Sequence, residues 1–233
     1  VRRSHVRLAL IQHNVCGNAR HLLQSLLHMR GAVAAGHAFD DDLLLHRLFL
    51  SFFAIFVYAA GSAHRAGCAF LDSLYQAEIR EQADIVLVSQ GGAPKDINLY
   101  QLQKALDNAQ HAVKPGGILI LIGACSEGLG ERVFEEWMTA SPSPAYLIER
   151  ISRDFQLGGH KAAAIALVLQ KAEIYLVSEL PPDLVRGMFL TPFANAQAAL
   201  DAALAKLGAK ARVLAMPYGG SILPRLVKNQ EGV

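Results

Sequence analysis

Within "DIVLVSQGGAPKDINLYQLQK" (residues 84–104), a tyrosine, a glutamine and a lysine fall within five positions: Tyr100, Gln101 and Lys104. A phenol, a carboxamide and an ammonium so close together can hold a small polar anion. The lysine offers a carboxylate a charge-assisted hydrogen bond, and the other two offer neutral ones. On a helical wheel over residues 97–113, Leu99, Leu102, Leu106, Ala109 and Val113 share one side. Tyr100 and Lys104, one turn apart, lie opposite, with Gln101 near the boundary. Lys104 is therefore not aimed at a sheet beneath the helix. Such a face is either plain solvated surface or the wall of a ligand site, and periodicity alone favours the plain surface.

Other residues of chemical interest are read against the same alternative. Gly91 and Gly92 allow either close approach of a ligand or a tight turn with positive φ. His160 and Lys161 follow "QLGG" at a helix start, where positive charge opposes the helix dipole. That cost makes them candidates for the edge of a site; a surface pair is the alternative. Cys125 at a strand end reads as a small buried hydrophobe. "GACSEGLGERV" does not fit G-x-G-x-x-G, so dinucleotide binding is not indicated. His64 and Arg65 in "AHRAG" have no derivable role, and "MPYGGSILP" (216–224) reads as a structural turn.

The elements that must position these residues alternate. "ADIVLVSQ" (83–90) and "ILILIGAC" (118–125) are short apolar runs of the kind covered on both faces of a parallel sheet. Between them lies a predicted helix, residues 97–113, capped by Asp96 and ended by "KPGG" (114–117). "SEGLGERVFEEWM" (126–138) is a loop and helix, and "TASPSP" (139–144) a breaker. "AYLIERISRDF" and residues 160–172 are helical, 173–180 a strand, 192–208 a helix, and 211–220 the last strand. "SAHRAGCAFLDSLYQAEI" is a helix running into an extended segment. The pattern predicts an α/β fold, a parallel-sheet, Rossmann-like domain over residues 62–233. Its ligand edge is the carboxyl end of the strands, where Ser89–Lys104 would lie.

Residues 1–61 are set apart as an atypical, His/Arg-rich and apolar segment, predicted helical. Residues 1–39 hold no Asp or Glu, every Lys lies at or after Lys95, and six of the nine histidines fall in the first 46 residues. This is the composition of a transit peptide, though the start without Met reads as an internal cut. The histidines from His5 to His46 lack the i, i+3 or i, i+4 spacing of metal-binding helices, so no metal site is predicted. "LFLSFFAIFVYAA" (48–60) is shorter than the ~20 apolar residues of a membrane span. A formal charge of +2 implies no nucleic-acid surface, and three scattered cysteines imply a reducing compartment. A cytoplasmic location is expected.

Six blocks in order, "AHRAGCAFLDSLY", "ADIVLVSQGGAPKDINLYQLQKALDNA", "VKPGGILILIGACSEGLGERVFEEW", "FQLGGHKAAAIALV", "VRGMF" and "MPYGGSILP", resemble the C-terminal part of the nickel-dependent lactate racemase family. The resemblance implies an isomerase of two α/β domains with the active site between them. It implies a nickel-pincer nucleotide that takes hydride from C2 of a 2-hydroxy acid and returns it to the other face. Tyr100, Gln101 and Lys104 match the polar positions that the family's C-terminal domain turns toward substrate. Lys104 would then orient the carboxylate, and Gln101 and Tyr100 would donate hydrogen bonds. The family's acid/base histidines, cofactor-tethering lysine and nickel-ligating histidine belong to a portion that residues 1–60 do not resemble. No catalytic residue, nickel ligand or tether is therefore identifiable in this chain. The implied partners are a small 2-hydroxy acid and either an N-terminal catalytic half or a second copy of the chain. Two alternatives remain. "AVKPGGILIL" resembles the strand entry of S-adenosylmethionine-dependent methyltransferases, without their first-strand glycine signature. A non-catalytic α/β module or inactive fragment is the other.

Overall fold

The computed structural model describes residues 61–227. The helical expectation for residues 1–60, with their histidines and apolar run, lies outside the described residues. The chain divides into two compact units, Val1–Leu74 and Tyr75–Val233. Of the first, residues 61–74 are described, and they are helical. No helix among the described residues is long and apolar enough to cross a membrane.

The second unit is built on five parallel strands: β2 (Ala83–Ser89), β3 (Val113–Ile122), β4 (Glu173–Val177), β5 (Thr191–Phe193) and β6 (Val213–Met216), in the order β5-β4-β3-β2-β6. A separate parallel pair joins β1 (Gln76–Ile79) to β7 (Leu223–Leu226). The helices are α1 (Leu99–Ala109), α2 (Arg132–Ala140), α3 (Pro144–Arg153), α4 (Gly159–Lys171), α5 (Pro182–Gly187) and α6 (Ala196–Leu207).

Strand periodicity sorts the core into two layers. Val86, Val88, Leu119 and Leu121 point to one face and pack with Leu99, Leu102 and Leu106 of α1 and with Ile165 of α4. Ile85, Ile118, Ile120 and Tyr175 point to the other and meet Ala199 and Ala203 of α6. Both faces are covered, which explains why the central strands are apolar runs rather than alternating ones.

Five elements differ from the sequence reading. Helix α1 is shorter than 97–113, and its cap is Asn98, whose Oδ1 accepts from Gln101 N at 3.0 Å. Asp96 is two residues too early to cap. Its carboxylate accepts from Ala124 N (3.1 Å) and its carbonyl from Cys125 N (2.8 Å), tying the β2–α1 loop to the end of β3. "KPGG" lies inside β3 as a bulge: Ala83 pairs with Val113 but Ile85 with Ile118, and Gly116, at φ 78°, supplies the bend. The predicted helix 192–208 begins only after its Asn195 cap. Pro192 and Phe193 belong to edge strand β5, a position that tolerates a proline. The strand predicted over 173–180 stops at Val177, and that over 211–220 covers only Val213–Met216.

Candidate functional site

The chain leaves β2 through Gly91 (φ 95°) and Gly92 (φ 79°), turns with Lys95 N donating to Gly92 O, and enters α1 at Asn98. This delivers the polar face of α1 beside the carboxyl ends of β2 and β3. Lys104 Nζ donates to Gln101 Oε1 at 2.7 Å on the exposed part of that face. Tyr100 is half-buried, with its ring edge-on to Phe134 of α2 at 5.6 Å.

A fourth residue joins them from α4. Lys161 Nζ sits 4.7 Å over the Tyr100 ring, a cation–π distance, and donates to Gln103 Oε1 at 3.0 Å. Gln103 is 1% exposed, and its Nε2 donates to Asp107 Oδ1 at 2.5 Å. Burial lowers the Lys161 pKa, the neighbouring Lys104 charge lowers it further, and Asp107 pulls it partly back. Among the described residues neither Lys104 nor Lys161 forms an ion pair with a carboxylate.

Two glycines let α4 come this close. A Cβ on Gly158 (φ 100°) would collide with Glu131 Oε2, the oxygen that caps α2 by accepting from Phe134 N. A Cβ on Gly159 would stand 2.7 Å from the ring of Trp137, which is fully buried. The "QLGG" turn thus seats the α4 N-terminus on α2 and aims Lys161 at Tyr100.

The remaining candidates stand apart from this cluster. His160 Nδ1 accepts from Gly158 N at 3.2 Å and its ring stacks beside Phe155, so it does not join Lys161. The room that glycine makes at position 91 is taken by the ring of Tyr218, whose loop is held by Gly219 N donating to Ser89 O. Gly92 faces open space. Cys125 is buried, at φ 56°, and burial followed by the charges of Asp96 and Glu179 pushes its thiol up to about 12. Cavities of about 430 Å³ (beside His111, Lys171 and Arg225) and 210 Å³ (beside Leu214, Met216 and Tyr218) lie away from the α1 polar face.

Sequence reasoning missed Gln103 and Asp107. The signal was a polar pair at i, i+4 with one member on the apolar side of the wheel, which is costly unless its amide is satisfied.

A family model described as the lactate racemase C-terminal domain matches residues 79–223, from the end of β1 to the start of β7. The chain belongs to this family. The curated lactate racemase of Thermoanaerobacterium thermosaccharolyticum is 30% identical over 168 residues, covering 70% of this chain and 39% of that protein. The lactate racemase of Lactiplantibacillus plantarum is 26% identical over 167 residues, with the same coverages. The solved lactate racemase apoprotein from T. thermosaccharolyticum superposes with a TM-score of 0.65 at 28% identity, over 70% of this chain and 40% of that one. The chain thus spans about 39% of the length of these curated relatives. The lactate racemase C-terminal domain match contains β2, α1, α2 and α4 whole, and hence every residue of the Tyr100–Lys161 cluster.

Proposed function

We propose that this chain supplies the carboxylate-holding part of a racemase that inverts C2 of a 2-hydroxy acid. The observation that carries the reading is Lys104: an exposed ammonium bonded to a neutral carboxamide, beside a second ammonium, with no acid among the described residues ion-paired to either. Such an arrangement leaves net positive charge available to an incoming carboxylate. On binding, Lys104 Nζ turns from Gln101 Oε1 to the carboxylate. The carboxamide and the Tyr100 phenol then donate to the remaining substrate oxygens. Lys161 above the Tyr100 ring and Phe134 at its edge restrict where the phenol can point.

A nickel-pincer nucleotide, which the family resemblance implies, requires ligands for the metal. Among the described residues no group of three or more His, Cys, Asp or Glu side chains is placed to hold one. No described residue is assigned as its tether or its ligand. In this reading the acid/base groups and the metal seat belong to the portion of the relatives that the chain does not match, and this unit's part is to bind and orient substrate. The "AVKPGGILIL" segment behind the methyltransferase alternative is the bulged entry of β3, at the opposite end of the sheet from the α1 polar face.

The test pairs the chain with the cofactor-loaded remainder of the T. thermosaccharolyticum relative and follows lactate racemisation. Restored turnover that falls about 100-fold in Lys104→Met is expected, the loss typical of a charge-assisted bond. Restored turnover indifferent to Lys104 would remove the basis of the reading.

A further inference from the structure

Lys161 holds a charge that its surroundings offset only in part, through Asp107. Its ammonium is half-buried, its neighbour Lys104 is also a cation, and it opens a helix whose dipole repels it. A lysine whose only task was to join α4 to α1 could do so through its stem alone, with the ammonium in water. Here the head is instead drawn inward and fixed. Asp107 Oδ1 accepts from Gln103 Nε2, which turns Gln103 Oε1 toward Lys161. Turning the Gln103 amide over would break both bonds on a side chain 1% exposed, so the ammonium is held over Tyr100 rather than swinging free.

We propose that Lys104 and Lys161 form a two-cation receptor, and that the substrate is a 2-hydroxy acid carrying a second acidic group. Lys104 takes the carboxylate next to the reacting carbon and Lys161 takes the distal one. Gln103 and Asp107 act as positioning residues for Lys161. The proposal rests on the reading of Lys104 above. A monoanion leaves positive charge over at the pair, which Asp107 offsets only in part; a dianion bridging both cations relieves their mutual repulsion more fully.

The test uses the full chain and two probes that differ in the distal carboxylate, racemic malate and racemic lactate, titrated by calorimetry at low ionic strength. Malate is expected to bind about tenfold tighter than lactate, a preference that shrinks as salt is added. Lys161→Met, which keeps the stem, should weaken malate more than lactate and so bring the two affinities together. Gln103→Leu should lower malate in the same sense by a smaller factor, and Lys104→Met should weaken both acids. Folding is checked through Trp137 fluorescence, with Lys161→Gln as a second variant. Equal binding of the two acids, or a malate preference that survives both Lys161 changes, overturns the proposal while leaving Lys104 in place. Failure of both acids to bind overturns the Lys104 reading and this one with it.

Discussion

Gly159→Ala is the sharpest structural test of how Lys161 is delivered. The added methyl would stand 2.7 Å from Trp137 Cε2 and 2.8 Å from Cδ2 and Cη2. Those separations are about 0.7–0.8 Å short of the ~3.5 Å that carbon atoms prefer. The ring cannot easily withdraw, being fully buried with the Arg150 guanidinium 4.1 Å over its face. Overpacking of this kind costs about 1–3 kcal/mol, against a helix-propensity gain below ~1 kcal/mol because position 159 lies in the first turn. The net expectation is a loss of about 1–2 kcal/mol and a fall in Tm of about 3–6 °C for a unit of this size. Trp137 is the chain's single tryptophan, so its fluorescence reports unfolding of the second unit from the contact itself. Trp137→Phe, which removes the fused six-membered ring, should abolish most of the Gly159→Ala penalty, as followed by far-UV circular dichroism. An unchanged Tm and emission in Gly159→Ala, or strictly additive losses in the double variant, would refute the tight seat of α4.

Two further outcomes follow from groups outside the site. Asp84 clamps the bulge of β3 to the start of β6: Lys114 Nζ donates to Oδ1 at 2.7 Å and Arg212 N to Oδ2 at 2.8 Å. The Lys114 bond, then the Arg212 backbone bond, hold its pKa below the ordinary 3.8, so its contribution is complete above that value and is lost as pH falls through the lower folded value. Asp84→Asn should therefore cost about 0.5–1 kcal/mol in urea unfolding at pH 7, a difference that narrows below pH 3.8. Cys125, its thiol raised to about 12 by burial, should resist iodoacetamide at pH 8 in the native protein, whereas exposed Cys68 reacts; site-resolved mass spectrometry reads both.

Much of this architecture was legible because apolar periodicity is a packing signal. The runs at 83–90 and 118–125 had to be strands buried on both faces, and Leu99, Leu102 and Leu106 had to face the sheet, as they do. What the pattern hid was local competition between polar groups. Asp96 and Asn98 are both good caps, and only the path of the loop shows that Asp96 is spent on Ala124. "KPGG" carries breaker residues, yet the ladder resumes around it because Gly116 takes a positive φ. β7 pairs with β1 about 150 residues earlier, a contact that no local window contains. At the proposed site, Tyr100, Gln101 and Lys104 stood out by side-chain type, but the wheel alone favoured plain surface and the family resemblance is what marked them as facing substrate. The link from Lys161 to Tyr100 depends on two glycines meeting Trp137 and Glu131 from another helix, and it is a tertiary fact.

The most direct measurement on the central claim is a lactate titration of the chain, followed by nuclear magnetic resonance at the Tyr100 ring, the Gln101 side-chain amide and the Lys104 ammonium. The account predicts saturable shifts at all three that vanish in Lys104→Met while the Trp137 signals stay unchanged. Shifts that rise linearly with lactate, or that persist without the Lys104 charge, would contradict it.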